Sequence, residues 1–111
     1  MSNFCLNLNS SNNVALTLGE LSTLFAPHYL FIFTSKFEVA ENVKKLTLQP
    51  ISSNMRWDLC LIKVQSIADG MAGEVNLTYG EWMYEVRECA TATLDVSLAG
   101  KIVQRGFVIV K

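Results

Sequence analysis

The chain has 111 residues and a mass of 12.4 kDa, which is the size of a single domain. Half of its residues are hydrophobic and 17 % are charged, so it can form a core and is not a disordered chain. Nine Lys and Arg against ten Asp and Glu give a net charge of −1, which argues against binding to nucleic acid or to an anionic membrane. No transmembrane segment is predicted, because the longest apolar stretch is about half of the ~20 residues that span a bilayer.

The first predicted elements are two short strands. Residues 4–9 and residues 14–18 alternate with a period of two, and the turn-forming run at 10–13 separates them. This order predicts a hairpin. The period breaks after Leu18, and the stretch up to Pro27 has room for a single helical turn.

The middle of the chain predicts two central strands. Residues 28–34 are apolar on both faces, and residues 55–64 form a second long apolar strand. Between them we expect a turn or a short helix over residues 36–42, followed by a strand over residues 43–48 that Pro50 ends.

The last third predicts a loop and then more strands. Residues 69–73 contain a D-G turn signal and a second glycine, which predicts a long exposed loop. Residues 75–87 alternate on both sides of a bend or bulge at Gly80. Residues 94–98 and the strand that begins at Ile102 predict a closing hairpin.

Eight or nine short strands predict an all-β fold, namely an immunoglobulin-like or jelly-roll-like antiparallel β-sandwich in one domain over residues 1–111. The predicted core contains Phe31, Phe33, Trp57, Leu59, Leu61, Trp82, Tyr84 and Val86.

Residues that could carry out catalysis or hold a metal are scarce. His28 is the single histidine, and Cys5, Cys60 and Cys89 form no C-x-x-C pair. No G-x-S-x-G turn and no phosphate-binding loop occurs. We therefore expect no catalytic centre, no metal and no cofactor. Because no Lys or Arg precedes Lys36, we also expect no secretory signal and synthesis in a cytosol.

The strand after Gly80 combines carboxylates with aromatic rings, the residue types that sugar-cleaving sites use. Alternation places Glu81 and Glu85 on the face opposite Trp82 and Tyr84, so the carboxylates cannot flank a sugar held by those rings. This pattern predicts a solvated face opposite an aromatic core face. A carbohydrate-binding or adhesion module that uses exposed aromatics on a β-sandwich stays as the alternative function.

Four short motifs follow one another along the chain. They are Y-L-F-I-F-T at residues 29–34, R-W-D-L at 56–59, L-T-Y-G-E-W-M-Y-E-V-R-E at 77–88 and V-Q-R-G at 103–106. In this order they resemble motifs of small virion proteins from tailed phages that infect Bacteroidetes, including crAss-like phages.

This resemblance implies a non-enzymatic structural protein of a bacteriophage virion, either a capsid auxiliary or decoration protein or a neck or tail component. It implies other virion proteins as partners, such as capsid, portal or tail subunits, within a symmetric multi-copy assembly built in the host cytoplasm. The charge balance and the lack of a long apolar stretch separately predict no direct contact with nucleic acid or membrane. A host-range or regulatory protein made early in infection is a further alternative.

The contact surface is predicted in two places. Residues 1–24 contain no Lys or Arg, are rich in Asn and Ser, and precede the motifs. They are expected either to act as an arm or hairpin that contacts a neighbouring subunit or to form the first hairpin of their own sandwich. The loop at residues 69–73 is the second place. The predicted interface residues are Phe4, Leu6, Leu8, Val14, Leu16, Asp69 and Met71.

Overall fold

The computed structural model describes residues 3–18, 27–35, 43–50, 52–53 and 58–111. Three expectations lie outside these residues: the helical turn before Pro27, the turn or helix over residues 36–42, and the core position of Trp57.

The described residues form nine strands and two short 3-10 turns. The turns are Gly70–Ala72 and Val96–Leu98. The strands are β1 (Phe4–Leu6), β2 (Ser10–Leu16), β3 (His28–Ser35), β4 (Val43–Leu48), β5 (Ser52–Ser53), β6 (Asp58–Val64), β7 (Glu74–Val75), β8 (Gly80–Cys89) and β9 (Ile102–Val110).

The strands form two sheets that pack face to face, which confirms the predicted β-sandwich. The five-stranded sheet has the order β1-β9-β8-β3-β4; the four-stranded sheet has the order β2-β6-β5, and β7 also pairs with β6. The sheets are not wholly antiparallel as expected, because β1 pairs with β9 and β7 pairs with β6 in parallel.

The core lies between the sheets and takes alternate residues from each strand. In β8 the prediction is confirmed: Trp82, Tyr84 and Val86 are at most 2 % exposed, as Phe31 and Phe33 of β3 also are. The Trp82 indole N–H donates to the Thr78 carbonyl at 3.0 Å, so the buried ring keeps a hydrogen bond.

In β6 the predicted core face is wrong. Cys60, Ile62 and Val64 are buried, whereas Leu59 and Leu61 lie on the opposite face and are half-buried. Both faces of this strand are apolar, so alternation alone does not say which one points inward. Pairing with β2 and packing against the other sheet decide it.

The predicted N-terminal hairpin is also wrong, because β1 and β2 belong to different sheets. The polar run at residues 10–13 is the first half of β2, where Ser10 and Ser11 are exposed. The Asn12 side chain fixes the crossover: its Oδ1 accepts from the Asn7 N–H at 2.8 Å, and its Nδ2 donates to the Asn7 carbonyl at 3.2 Å.

The closing hairpin is replaced by a turn. Asp95 Oδ1 accepts from the Ser97 N–H at 2.9 Å and from the Ser97 hydroxyl at 2.7 Å, and these bonds lower the pKa of the Asp95 carboxyl. Residues 96–98 are therefore held in a 3-10 turn, and β9 pairs with β8 instead.

Candidate functional site: the open half of the outer face

One row of side chains crosses the outer face of the five-stranded sheet. Val43, Thr34, Met83 and Phe107 are successive partners across β4, β3, β8 and β9. Alternation places them opposite the core residues Phe33 and Trp82 of the same strands, so they face away from the sandwich interior.

The row and its neighbours form an exposed apolar surface. Met83 is 42 % exposed, and Val43 and Ile109 are each 45 % exposed. A shallow depression of about 270 Å³ lies between Ile32, Met83 and Phe107. We call this surface the open half; it consists of Ile32, Thr34, Val43, Met83, Phe107 and Ile109.

The other end of the same face is closed by the chain itself. Leu30, Thr47 and Cys89 point outward from β3, β4 and β8, yet they are 0 %, 2 % and 1 % exposed. The segment between β8 and β9 lies at this end, where Ala92 borders a cavity shared with Thr47 and the Leu94 side chain lies beside Gly70. We call this end the covered half.

Charged residues border the open half on both sides. Glu85 and Arg105 are cross-strand partners, and the Glu85 carboxylate lies 2.7 Å from the Arg87 Nε. Glu81 lies near Ile109 on the other side. This border contains both signs of charge, so the surface is an apolar patch with a polar rim, as in protein–protein interfaces.

The outer face of the four-stranded sheet has a different character. Ser11, Asn13, Ala15 and Thr17 are exposed along and just after β2, and Lys63 is exposed on β6. The exposed residues of this face are polar or small, and its large apolar side chains, Leu59 and Leu61, are half-buried.

Three predicted interface residues are buried in the chain's own core. Leu6 is 0 % exposed, Val14 5 % and Leu16 3 %. Their side chains therefore offer no contact surface, because β1 and β2 pair within the chain and turn these residues inward. Phe4 is half-buried with its ring 4.7 Å from that of Tyr84, and Leu8 packs against the core.

The segment at residues 69–73 is a capped turn and not the long loop that was expected. The Asp69 side-chain carboxylate accepts from the Met71 N–H at 3.0 Å, and the Asp69 backbone carbonyl accepts from the Ala72 N–H at 2.9 Å. A side chain at Gly70 would approach the Lys45 carbonyl to 2.8 Å, so the turn packs closely on β4. Asp69 is exposed, and Met71 is 51 % exposed.

The described side chains that titrate are dispersed. Burial, with a smaller contribution from the charge of Asp58, raises the pKa of the Cys60 thiol to about 12, and burial also raises that of Cys89. In the part of the chain that the structure describes, no three His, Cys, Asp or Glu residues come together as a metal site, and no helix is long and apolar enough to cross a membrane.

The glycan-binding alternative requires exposed rings. Trp82 and Tyr84 are buried, with Glu81 and Glu85 on the opposite face as predicted. Tyr79, on the bend before β8, is 75 % exposed, and Trp57 lies outside the described residues.

Sequence reasoning missed the open half, although a signal for it existed. Residues 107–110 are apolar at every position, and Leu30 and Ile32 are apolar opposite the aromatic face of β3. A strand that is apolar on both faces needs cover on both. The sequence does not say whether its own chain supplies that cover.

Comparison of the chain with protein-family models, with curated proteins and with solved structures found no match. The functional argument therefore depends on the geometry of this face and on the four short motifs.

Proposed function

We propose that this protein is a non-enzymatic structural protein of a bacteriophage virion, a capsid auxiliary or decoration protein that binds a neighbouring virion subunit through the open half. The observation that carries the proposal is an apolar surface that stays exposed, among the described residues, on a sheet face whose other end is buried within the chain. The four motifs support the assignment to a virion.

The chemistry of the surface favours a protein partner. Ile32, Met83, Phe107 and Ile109 supply apolar area, and Met side chains adapt to different partner shapes. The rim places Glu85 and Arg105 in adjacent strands, which suits hydrogen bonds around an apolar centre. With a net charge of −1, affinity would come from burial and not from a long-range field.

Mass spectrometry of purified particles of the phage that encodes the chain tests the virion assignment. We expect peptides of this chain in particles in a fixed ratio to the major capsid protein. Finding the chain in the infected-cell lysate but not in washed particles would contradict the assignment and favour a host-range or regulatory role.

A matched pair of methionine variants tests the surface. Met83→Glu places a charge in the open half, and Met71→Glu places the same charge on the predicted loop surface, where the side chain is exposed to a similar extent. We expect particles that lack the protein to take up the Met71 variant like wild type and to take up the Met83 variant at least about tenfold more weakly, the effect of about 1.4 kcal/mol of binding free energy. The opposite result would return the interface to the Asp69–Met71 turn.

A further inference from the structure

The second unpartnered feature is the open edge of β2. Among the described residues, β2 pairs with β6 on one side and with no strand on the other. Alternate residues of an edge strand direct their N–H and C=O groups outward, where another strand can pair with them.

This edge lacks the features that normally prevent pairing. Residues 3–18 contain no charged residue and no proline, and the seven pairs between β2 and β6 run from Ser10 to Leu16 without a bulge. Proteins usually protect an edge strand with charge, proline, a bulge or very short length. β2 has none of these four.

The other edges of the described strands are short or charged, and β5 and β7, on the far side of β6 from β2, are two residues each. β4 carries Lys44 and Lys45, and the half of β9 that β1 leaves uncovered carries Arg105. β1 is only three residues long. Antiparallel self-pairing of β4 or β9 would bring like charges close together, whereas β2 is neutral and meets no such repulsion.

The two ends of β2 are also held in place. Asn12 hydrogen-bonds to the Asn7 backbone before the strand, and the Leu18 N–H donates to the buried Asp58 carboxylate at 3.1 Å after it. The edge is therefore already ordered before a partner strand arrives, which reduces the entropy lost on pairing.

We propose that two copies of this chain pair antiparallel through β2, about a two-fold axis at Asn13, and join their four-stranded sheets into one continuous sheet. Full overlap of the seven residues places Asn13 opposite its own copy and Ser11 opposite Ala15, all three exposed on the outer face. A closed two-fold pair of this kind uses the same edge of both copies and leaves no free β2 edge. This inference goes beyond the proposed function, because the open half lies on the other sheet.

Sedimentation velocity of the full chain at concentrations up to about 1 mM tests the pairing. We expect wild type to form a dimer, and Asn13→Lys and Asn13→Glu each to weaken it about fivefold or more, because like charges then stand opposite one another. An equal mixture of the two variants should restore the dimer. Asn76→Lys, the same change at an exposed loop position, should behave like wild type.

A second measurement does not depend on any variant. Amide hydrogen exchange of wild type at a low and a high concentration should show added protection in β2 and none in β4. A wild-type chain that stays monomeric, or an Asn13→Lys chain that dimerises like wild type, would overturn the proposal. Met83→Glu should leave the dimer intact, so failure of this inference and failure of the virion-binding surface can be told apart.

Discussion

The covered and open halves of one sheet face differ in what lies over them and not in their strands. Leu30 and Ile32 are two residues apart on β3 and point the same way, yet the first is fully buried and the second is half-exposed. Ala92 of the segment between β8 and β9 lies near Thr47 in the covered half. Apolar side chains therefore point outward along the whole face, but among the described residues only those of the covered half are buried.

The outer face of the four-stranded sheet sharpens this comparison. It exposes Ser11, Asn13 and Lys63, which need no cover. Its large apolar side chains, Leu59 and Leu61, are half-buried, whereas Val43, Met83 and Ile109 of the open half are exposed.

The largest expected effect compares the two faces of β8. Trp82→Ala should cost about 3–5 kcal/mol in the free energy of unfolding, because it removes a buried ring from the core. Met83→Ala, one residue further on the outer face, should cost less than about 1 kcal/mol. Urea denaturation of both variants measures the difference, and similar losses would mean that the open half is not open in solution.

The second prediction compares the two halves directly. Leu30→Ala should cost about 2–5 kcal/mol because Leu30 is fully buried and its truncation leaves a cavity. Ile32→Ala should cost at least about 1 kcal/mol less than Leu30→Ala, because the Ile32 side chain is already partly exposed to water. If urea denaturation gives equal costs, the two halves are covered to the same degree.

The third prediction concerns pH. The folded-state pKa of Cys60 is raised to about 12, above its unfolded value, so its contribution to stability is complete below about pH 9 and is lost as pH rises toward 12. The loss is at most about 1.4 kcal/mol per pH unit. Cys89, in the covered half, acts in the same direction.

Unfolding free energies measured between pH 8 and about pH 11 test the predicted loss of stability at high pH. Cys60→Ala should have a shallower decline than wild type. An identical decline in the variant would show that Cys60 ionises as readily in the folded as in the unfolded chain.

The smallest expected effect concerns the reactivity of the three thiols and leaves the free energy of unfolding unchanged. Cys5 is exposed beside Phe107 and Ile109, whereas Cys89 lies in the covered half and Cys60 in the core. Ellman's reagent should titrate one thiol rapidly in the native chain and three in urea. Cys5→Ser should abolish the rapid reaction; a second rapid thiol would show that the core or the covered half opens, and Cys60→Ala would tell the two apart.

Sequence periodicity predicted several strands of the sandwich because their alternation is strong. It placed β3 and β4 within a residue of their ends, and it chose the inward face of β8 correctly, since Glu81 and Glu85 mark the other face as polar. Where both faces are apolar, as in β6, the same reasoning chose the wrong one.

Periodicity gave no information about pairing between strands distant in sequence. Neighbouring strands β1 and β2 were expected to pair, but β1 pairs with β9, more than a hundred residues later. The Asn12 side chain holds the crossover through hydrogen bonds to the Asn7 backbone that alternation does not reveal.

The sequence by itself determined that this protein is an all-β domain with an aromatic core face on β3 and β8, because side-chain alternation is a local property of a strand. Only the tertiary structure decided which apolar faces are buried, since burial depends on what packs against a strand. Leu30 is buried and Met83 is 42 % exposed although both point away from the core on neighbouring strands of one sheet. The candidate interface is the apolar surface left over when the chain has folded.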